Sequence, residues 1–487
     1  MVHGKRILRN ATFLTVGDKI SNLMLFFFFL YFARKFGVIP TGEYSFGYSF
    51  AYAFIVFADL GISTYLVREV ARKNSVDRQL FLDCLILRSI AILFVTSIAV
   101  AITAVFFSEF SKLKLIVLFY WGIYWLFFSL SDVFIAELNG HEKMGRVSLL
   151  GIWHKLICFV GGSLLIFLGF NYDIVLIVLP ISSILYFISC VLVSISSLGW
   201  TKTRVKPFKD YILLLRELMP FCIAFILLEI LWNQDILILG VVRGDRAVGI
   251  YSSALKIITF ILNISNFIYI SILPVLSGLY IESKEKLINI CQTIIKYTVL
   301  IFLPISFGIF LTADRIIEIL YPKNFYSSGI VLKITAWIII TGFAQTLFSA
   351  ILTGIDRQKE KVVLIGVNFA VSVPLNFFLI YFLNYTGAAI AKLISTVLGL
   401  LFFAFLVYRY LDFSPLLKLA LKPLVACLVM TICGYYYRDM GLNYFIMFSV
   451  IIYMVSLLVL GTFTKQEIIF IKEIMIIHPL KKQRLDD

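Results

Sequence analysis

Residues 42–47 read GEYSFG, and residues 249–254 read GIYSSA. Each follows a glycine that closes an apolar run, Gly37 after LYFARKF (30–36) and Gly240 after QDILIL (234–239). Each opens a new apolar run. A Gly-x-Tyr-Ser start that returns after 207 residues signals duplication only if the two runs occupy equivalent places in the chain, so the apolar runs must be counted.

The chain has 487 residues, 61% of them hydrophobic and 15% charged. A soluble domain carries roughly 25% charged residues. The excess of apolar residues comes in runs of about 20, the length that crosses a bilayer as a helix. This predicts an all-α polytopic membrane protein. Fourteen spans can be drawn, at 10–34, 41–67, 80–107, 114–137, 147–169, 172–197, 212–240, 248–279, 287–312, 326–353, 362–383, 387–409, 416–437 and 441–463. The first run is too long for the apolar region of a signal peptide and lacks a small-residue cleavage site, so span 1 is expected to be retained. The connections are short and polar. The seven cysteines form no CxxC pair and lie in or beside apolar runs, as core residues of membrane helices do.

With the N-terminus placed in the cytoplasm, the inner segments carry 27 Lys and Arg and the outer segments 9. The bias predicts a multi-pass protein of the cytoplasmic membrane with both termini inside. It also turns the net charge of +15 into a topological signal rather than a nucleic-acid one, with attraction to anionic membrane lipids as a by-product. Past the last span, Thr464 and Glu467 have capping-box spacing, and Ile468, Ile471 and Met475 recur at helical spacing. A short amphipathic helix on the cytoplasmic interface is expected over the tail, 464–487.

The two Gly-x-Tyr-Ser motifs therefore open spans 2 and 8, both entered from outside. A second echo, RVSLLGI (146–152) after LNG (138–140) and KVVLIGV (361–367) after LTG (352–354), marks the inner loops after spans 4 and 10. Spans 1–6 and 7–12 read as two parallel copies of a six-helix unit. The expected domains are 1–200, 208–410, an appended helix pair at 415–463, and the tail. Two such bundles enclose a midplane cleft that rocking opens to alternate sides, which is the design of a transporter.

Charges within spans cost at least about 2.5 kcal/mol each at the bilayer centre and normally face a cavity or a partner. Lys19, Lys155, Lys256 and Lys296 lie near mid-depth, against Glu229 alone among acids. A cavity with surplus positive charge suits an anionic substrate such as a phosphate. Glu229 and Asp235 are candidates for proton or cation coupling, or else for pairing with a neighbouring lysine. Lys333 and Lys392 lie shallower, where snorkelling to the outer interface is expected. For Asp59, Asp132 and Glu137 the expectation is capping or pairing with a loop arginine. His154 and Asp18, each beside a lysine, read as structural. No phosphate-binding G-x-x-x-x-G-K-[ST] loop, no H-E-x-x-H and no Cys/His metal cluster occurs. No enzymatic activity, cofactor or metal is expected.

FGVIPTGEYSFGYSFAYAFIVFADLGISTYLVREVAR (36–72), with its ADLG (58–61) and REVAR (68–72) runs, resembles the early segment of Wzx-type polysaccharide-synthesis flippases. QDILILGVVRGDRAVGIYSSALKI (234–257) is similar to the start of their second half, and GAAIAKLISTVLG (387–399) to their span 12. The similarity runs from about residue 10 to 410. It implies the multidrug/oligosaccharidyl-lipid/polysaccharide exporter superfamily, with two six-helix bundles in a V. It implies a flippase that carries polyprenyl-diphosphate-linked oligosaccharide from the inner to the outer leaflet, driven by membrane potential or an ion gradient. The family's cationic cavity residue near the start of span 8 corresponds to Lys256, with Lys19 as its analogue in span 1. The implied partners are the lipid-linked substrate, membrane lipids and glycan-assembly machinery, with a monomer as the unit and no nucleic acid. A cation-coupled multidrug exporter of the same superfamily is the alternative, disfavoured by the deep cations. A membrane-embedded glycan polymerase or ligase is a third reading, disfavoured by the lack of a long outer loop.

Overall fold

Sixteen α-helices account for the fourteen spans in the computed structural model, which describes residues 2–73, 78–106, 110–199, 204, 206–411, 416–437 and 440–462. The predicted tail helix over 464–487 lies outside the described residues. Spans 1–6 are α1 (Val2–Phe36), α2 (Val38–Asp59) with α3 (Ile62–Lys73), α4 (Arg78–Phe106), α5 (Lys112–Gly140), α6 (Met144–Phe167), and α7 (Tyr172–Val175) with α8 (Val178–Leu198). Spans 7–12 are α9 (Phe208–Arg243), α10 (Asp245–Glu282), α11 (Lys284–Leu320), α12 (Ser328–Thr335) with α13 (Trp337–Gly354), and the two parts of α14 (Gln358–Tyr410). The last pair is α15 (Leu416–Tyr436) and α16 (Leu442–Val459). No strand occurs among the described residues.

Local chemistry explains the breaks. Leu60 and Gly61 both take left-handed backbone angles (φ 50° and 73°), which a helix cannot continue through. The chain bends by 42° between α2 and α3 there. The 53 residues of α14 are broken at Asn384 (φ 57°, ψ −137°). At about 1.5 Å per residue that stretch is far longer than the roughly 30 Å hydrocarbon core, so it crosses twice. Exposed Leu, Ile, Val and Phe cover the outer faces of the helices, for example Leu93, Phe94, Val100 and Phe106 on α4, as a lipid-facing surface requires.

The first-half helices pack on one another chiefly as α1 on α6, α5 on α8 and α2 on α5, and the second-half helices as α10 on α13, α13 on α14 and α9 on α14. The appended pair docks on α11, where Leu300, Leu303 and Phe307 meet Ala426, Cys427 and Met430 of α15 and Tyr453 and Leu457 of α16. Six of the seven cysteines are buried.

The repeated motif marks the place where the halves meet. Gly42 lies against the backbone of Asp245 and Gly249, and Gly249 lies against the backbone of Val38. A methyl group at either position would collide with the other helix's main chain. One turn on, Ser45 Oγ donates to Ser252 Oγ at 2.9 Å. The contacts are reciprocal: each glycine touches the residue equivalent to the one its counterpart touches, and the two equivalent serines bond to each other. α2 and α10 thus cross about a local two-fold axis. The motif's tyrosines are both buried, Tyr44 at 8% and Tyr251 at 0% exposure. The second echo behaves alike. Gly140 packs on Val70 of α3, the second part of span 2, and Gly354 packs on Leu276 of α10, which is span 8.

Candidate functional site

Beside this crossing, α1 and α10 run antiparallel. Phe26 stacks on Phe260 with ring centroids 4.9 Å apart. The Lys19 ammonium donates to the carbonyl of Asn263. The Lys256 ammonium stands 5.3 Å from the centroid of the Phe29 ring. From α6, Lys155 donates to Asn22 Oδ1 at 2.8 Å and Asp18 Oδ1 at 3.3 Å, and it is within electrostatic reach of both Lys19 and Lys256. Three of the four predicted cavity cations therefore converge from three helices on the seam between the halves. The fourth, Lys296, is on α11, with its ammonium 5.9 Å from the Tyr297 ring centroid. α11 packs mainly on α12, α13 and α15.

The three lysines are not equivalent. Lys155 has an acidic partner and Lys19 a carbonyl. Lys256 makes a cation–π contact but no hydrogen bond or ion pair among the described residues. An ammonium in that state keeps three donors for a ligand. Its position follows from the helix register, because the same turn of α10 that packs Ser252 on Ser45 directs Lys256, one turn later, to α1. Asp18 belongs to the Lys155 pair, and His154 lies buried against Tyr186 (ring centroids 4.6 Å apart), Tyr124 and Phe128.

The acidic candidates occupy different surroundings. The Glu229 side chain lines a cavity of about 540 Å³ in the second half, together with Asn263, Gln345, Lys361, Asn368 and Lys392. Across the seam, Tyr52 of α2 donates to Glu229 Oε2 at 2.7 Å. Asp235 is fully buried. It accepts from Tyr251 and, at 3.4 Å, from Lys392. Lys392 also donates to the Trp232 carbonyl at 2.6 Å and is 5% exposed. The expectation that Lys392 snorkels is corrected here. A buried carboxylate one helix away compensates the ammonium better than the distant interface could. Lys333 instead meets Asp314 at 2.5 Å, with both side chains about one-third exposed or more.

Sequence reading missed Arg88. It lies well inside span 3, and its ion-pair partners are Asp59 and Asp132 (3.8 Å). These two aspartates thus pair with a span arginine rather than with a loop one. An arginine two turns into an apolar run was the available signal. Glu137 does meet the arginine at the start of α4, Arg78, at 2.7 Å with both side chains 2% exposed. Arg88, Asp59 and Asp132 line a second cavity, of about 750 Å³, in the first half. Among the described residues no group of three His, Cys, Asp or Glu is placed to hold a metal.

A family model described as "Polysaccharide biosynthesis protein" matches residues 7–280, and one described as "MatE" matches residues 220–378. Among solved structures the chain is similar to a lipid II flippase, MurJ, in an inward closed conformation, with a TM-score of 0.73 at 17% identity over 95% of this chain and 99% of that one. It is also similar to the MATE transporter VcmN of Vibrio cholerae (TM-score 0.58, 14% identity, 83% and 98% covered). A transporter of the MOP superfamily from Pyrococcus furiosus gives a TM-score of 0.58 at 16% identity, with 85% and 96% covered. No curated protein sequence matches the chain. At these identities the structural likeness establishes the fold.

Proposed function

The chain belongs to the polysaccharide biosynthesis protein family, and from that premise we propose that it is a flippase that carries a polyprenyl-diphosphate-linked oligosaccharide from the cytoplasmic to the outer leaflet. The observation that supports this most is Lys256, an ammonium at the seam with no acidic partner among the described residues, joined by Lys19 and Lys155. A diphosphate is the ligand class that uses several converging ammonium donors. In this reading the two halves, 1–200 and 208–410, rock about the seam while the polyprenyl tail stays in lipid. Lys256, Lys19 and Lys155 hold the diphosphate, and Lys296 adds to the positive field. The chain works as a monomer in the cytoplasmic membrane with both termini inside, alongside the machinery that assembles the glycan.

Membrane potential or an ion gradient supplies the energy. Of the two acidic candidates Glu229 is the better suited, because it borders a cavity and bonds to the other half. Asp235 already holds the Lys392 ammonium. A small cationic drug would meet the wrong sign of charge at the lysines, which disfavours an exporter of cations.

The test is deletion of the gene in its host, with extraction of lipid-linked oligosaccharide and assignment of its leaflet. Full-length units confined to the cytoplasmic face, with surface glycan lost, are expected. Normal surface glycan without build-up would overturn the reading.

A further inference from the structure

The first-half cavity carries more than the family assignment needs. It has about 750 Å³ of volume, well inside the range of small-molecule sites. Three residues that line it each carry a buried polar atom with no hydrogen-bond partner among the described residues: Trp125 Nε1, Ser129 Oγ and Asn139 Oδ1. Trp125 is 9% and Ser129 3% exposed. Buried polar atoms are normally paired, and leaving one unpaired costs about 1–3 kcal/mol. Three such groups on residues lining one cavity are within a side-chain rotation of a ligand that both donates and accepts.

Charge narrows the ligand's class. The Arg88 guanidinium is held by Asp59 and Asp132 and donates to the carbonyls of Ala58 (3.2 Å) and Ser129 (3.3 Å). Its charge is therefore neutralised, unlike that of Lys256. Asp132 is about one-third exposed, and its one ion pair among the described residues is the long 3.8 Å contact to Arg88, so it retains acceptor capacity. The rings of Tyr52 and Trp125, with centroids 4.5 Å apart and planes inclined at 46°, add an aromatic surface beside these groups. A neutral, hydroxyl-rich ring with one apolar face matches that combination. The other cation in the lining, Arg68, pairs with Glu69 at 3.1 Å, so an anion would meet only cations that already have acidic partners.

We propose that this cavity binds uncharged sugar residues of the transported glycan, apart from the lysines that bind the phosphates. The inference rests on the flippase reading. It divides recognition into two parts: the lysine seam reads the diphosphate common to all such lipids, and the Trp125–Asn139 wall reads the sugar. Tyr52 joins the two, since it lines the sugar cavity and bonds Glu229 in the opposite half. Occupancy of the sugar wall thus bears on a contact that spans the halves.

The experiment uses the full chain in proteoliposomes and two probes. One is the lipid-linked oligosaccharide that accumulates in host cells lacking this chain. The other is the same lipid trimmed by glycosidases to its first sugar. Trp125→Phe removes the indole N–H and Asn139→Leu the carboxamide oxygen and nitrogen, while both keep most of the side-chain volume. Either variant is expected to raise the half-saturating concentration of the full probe about tenfold, the scale of one or two lost hydrogen bonds. Transport of the trimmed probe should be unchanged, which also shows that the variant folds. Wild-type handling of the full probe by both variants would overturn the sugar site and leave the flippase reading intact. Equal losses on both probes would also overturn it, because the wall would then serve the fold or the lipid rather than the sugar. Failure of the wild-type chain to move either probe would overturn the flippase reading, and the sugar site with it.

Discussion

Two lysines illustrate how a single side chain acquires its role. Lys256 and Lys392 both lie in predicted spans of the second half, and the sequence separates them only by depth, Lys256 near the middle and Lys392 nearer the outer end. In the fold, Lys392 ends beside Asp235 and the Trp232 carbonyl, whereas Lys256 faces the Phe29 ring and has no acidic partner among the described residues. The first is neutralised and the second is available. Lys256→Gln should therefore fold normally and lower the flipping rate by about tenfold to a hundredfold, the worth of a charge-assisted hydrogen bond. Wild-type flipping by this variant would remove Lys256 from the phosphate site. Lys392→Met should act on stability instead. It leaves a buried carboxylate unpaired, at a cost of about 3–5 kcal/mol, read as a lower midpoint in denaturation of the purified protein. Adding Asp235→Asn to Lys392→Met should recover most of that loss. If the double variant is no more stable than the single one, the pair is not what the lysine serves. The lysine cluster was legible in sequence because depth in a span can be counted. The Asp235–Lys392 pair was not, because its members are 157 residues apart and no local pattern relates them.

At the scale of elements, the helices follow from apolar run length, and all fourteen runs became helices or helix pairs. Their breaks were less legible. A left-handed Leu60 or Asn384 is a tertiary compromise that residue type alone does not announce. The crossing of α2 and α10 was half legible. The motif announced a repeated structure, but its use as the contact between copies appears only when Gly42 and Gly249 are seen against each other's helices. Close approach without a Cβ is what glycine supplies at such a crossing. Gly42→Val should accordingly push α2 off Asp245 and Gly249. The expected loss is about 1–3 kcal/mol, the usual scale for overpacking, measurable as a drop in thermal midpoint in detergent. Gly122→Val is the control, because open space surrounds the position a Cβ would take there. Equal effects from the two substitutions would show that the crossing is not tightly packed.

For the whole molecule, the question is which contacts must break during transport. The contacts between halves gather near the predicted outer ends of the helices. Lys114 of α5 meets Asp245 of α10 at 2.7 Å. Arg34 at the end of α1 donates to the carbonyls of Ile319 and Leu320 at the end of α11. Ser45 meets Ser252 at the axis itself. Toward the predicted inner side, the Tyr52–Glu229 and Lys19–Asn263 hydrogen bonds join the halves, and Tyr52 and Glu229 each border a cavity. This arrangement is closed outside, so outward release requires that the Ser45–Ser252 contact part. A Ser45→Cys/Ser252→Cys pair, with its hydroxyls replaced by thiols at a 2.9 Å approach, should form a disulfide under mild oxidation. Flipping in proteoliposomes should then stop, and a reductant should restore it. Neither single cysteine should show that redox dependence. If the cross-linked protein, verified by its gel mobility after cleavage between the halves, still moves its substrate at the wild-type rate, α2 and α10 stay joined through the cycle. The motion would then have to be a bending of helices within each half, centred on breaks such as Leu60–Gly61 and Asn384, rather than a rocking of one half against the other.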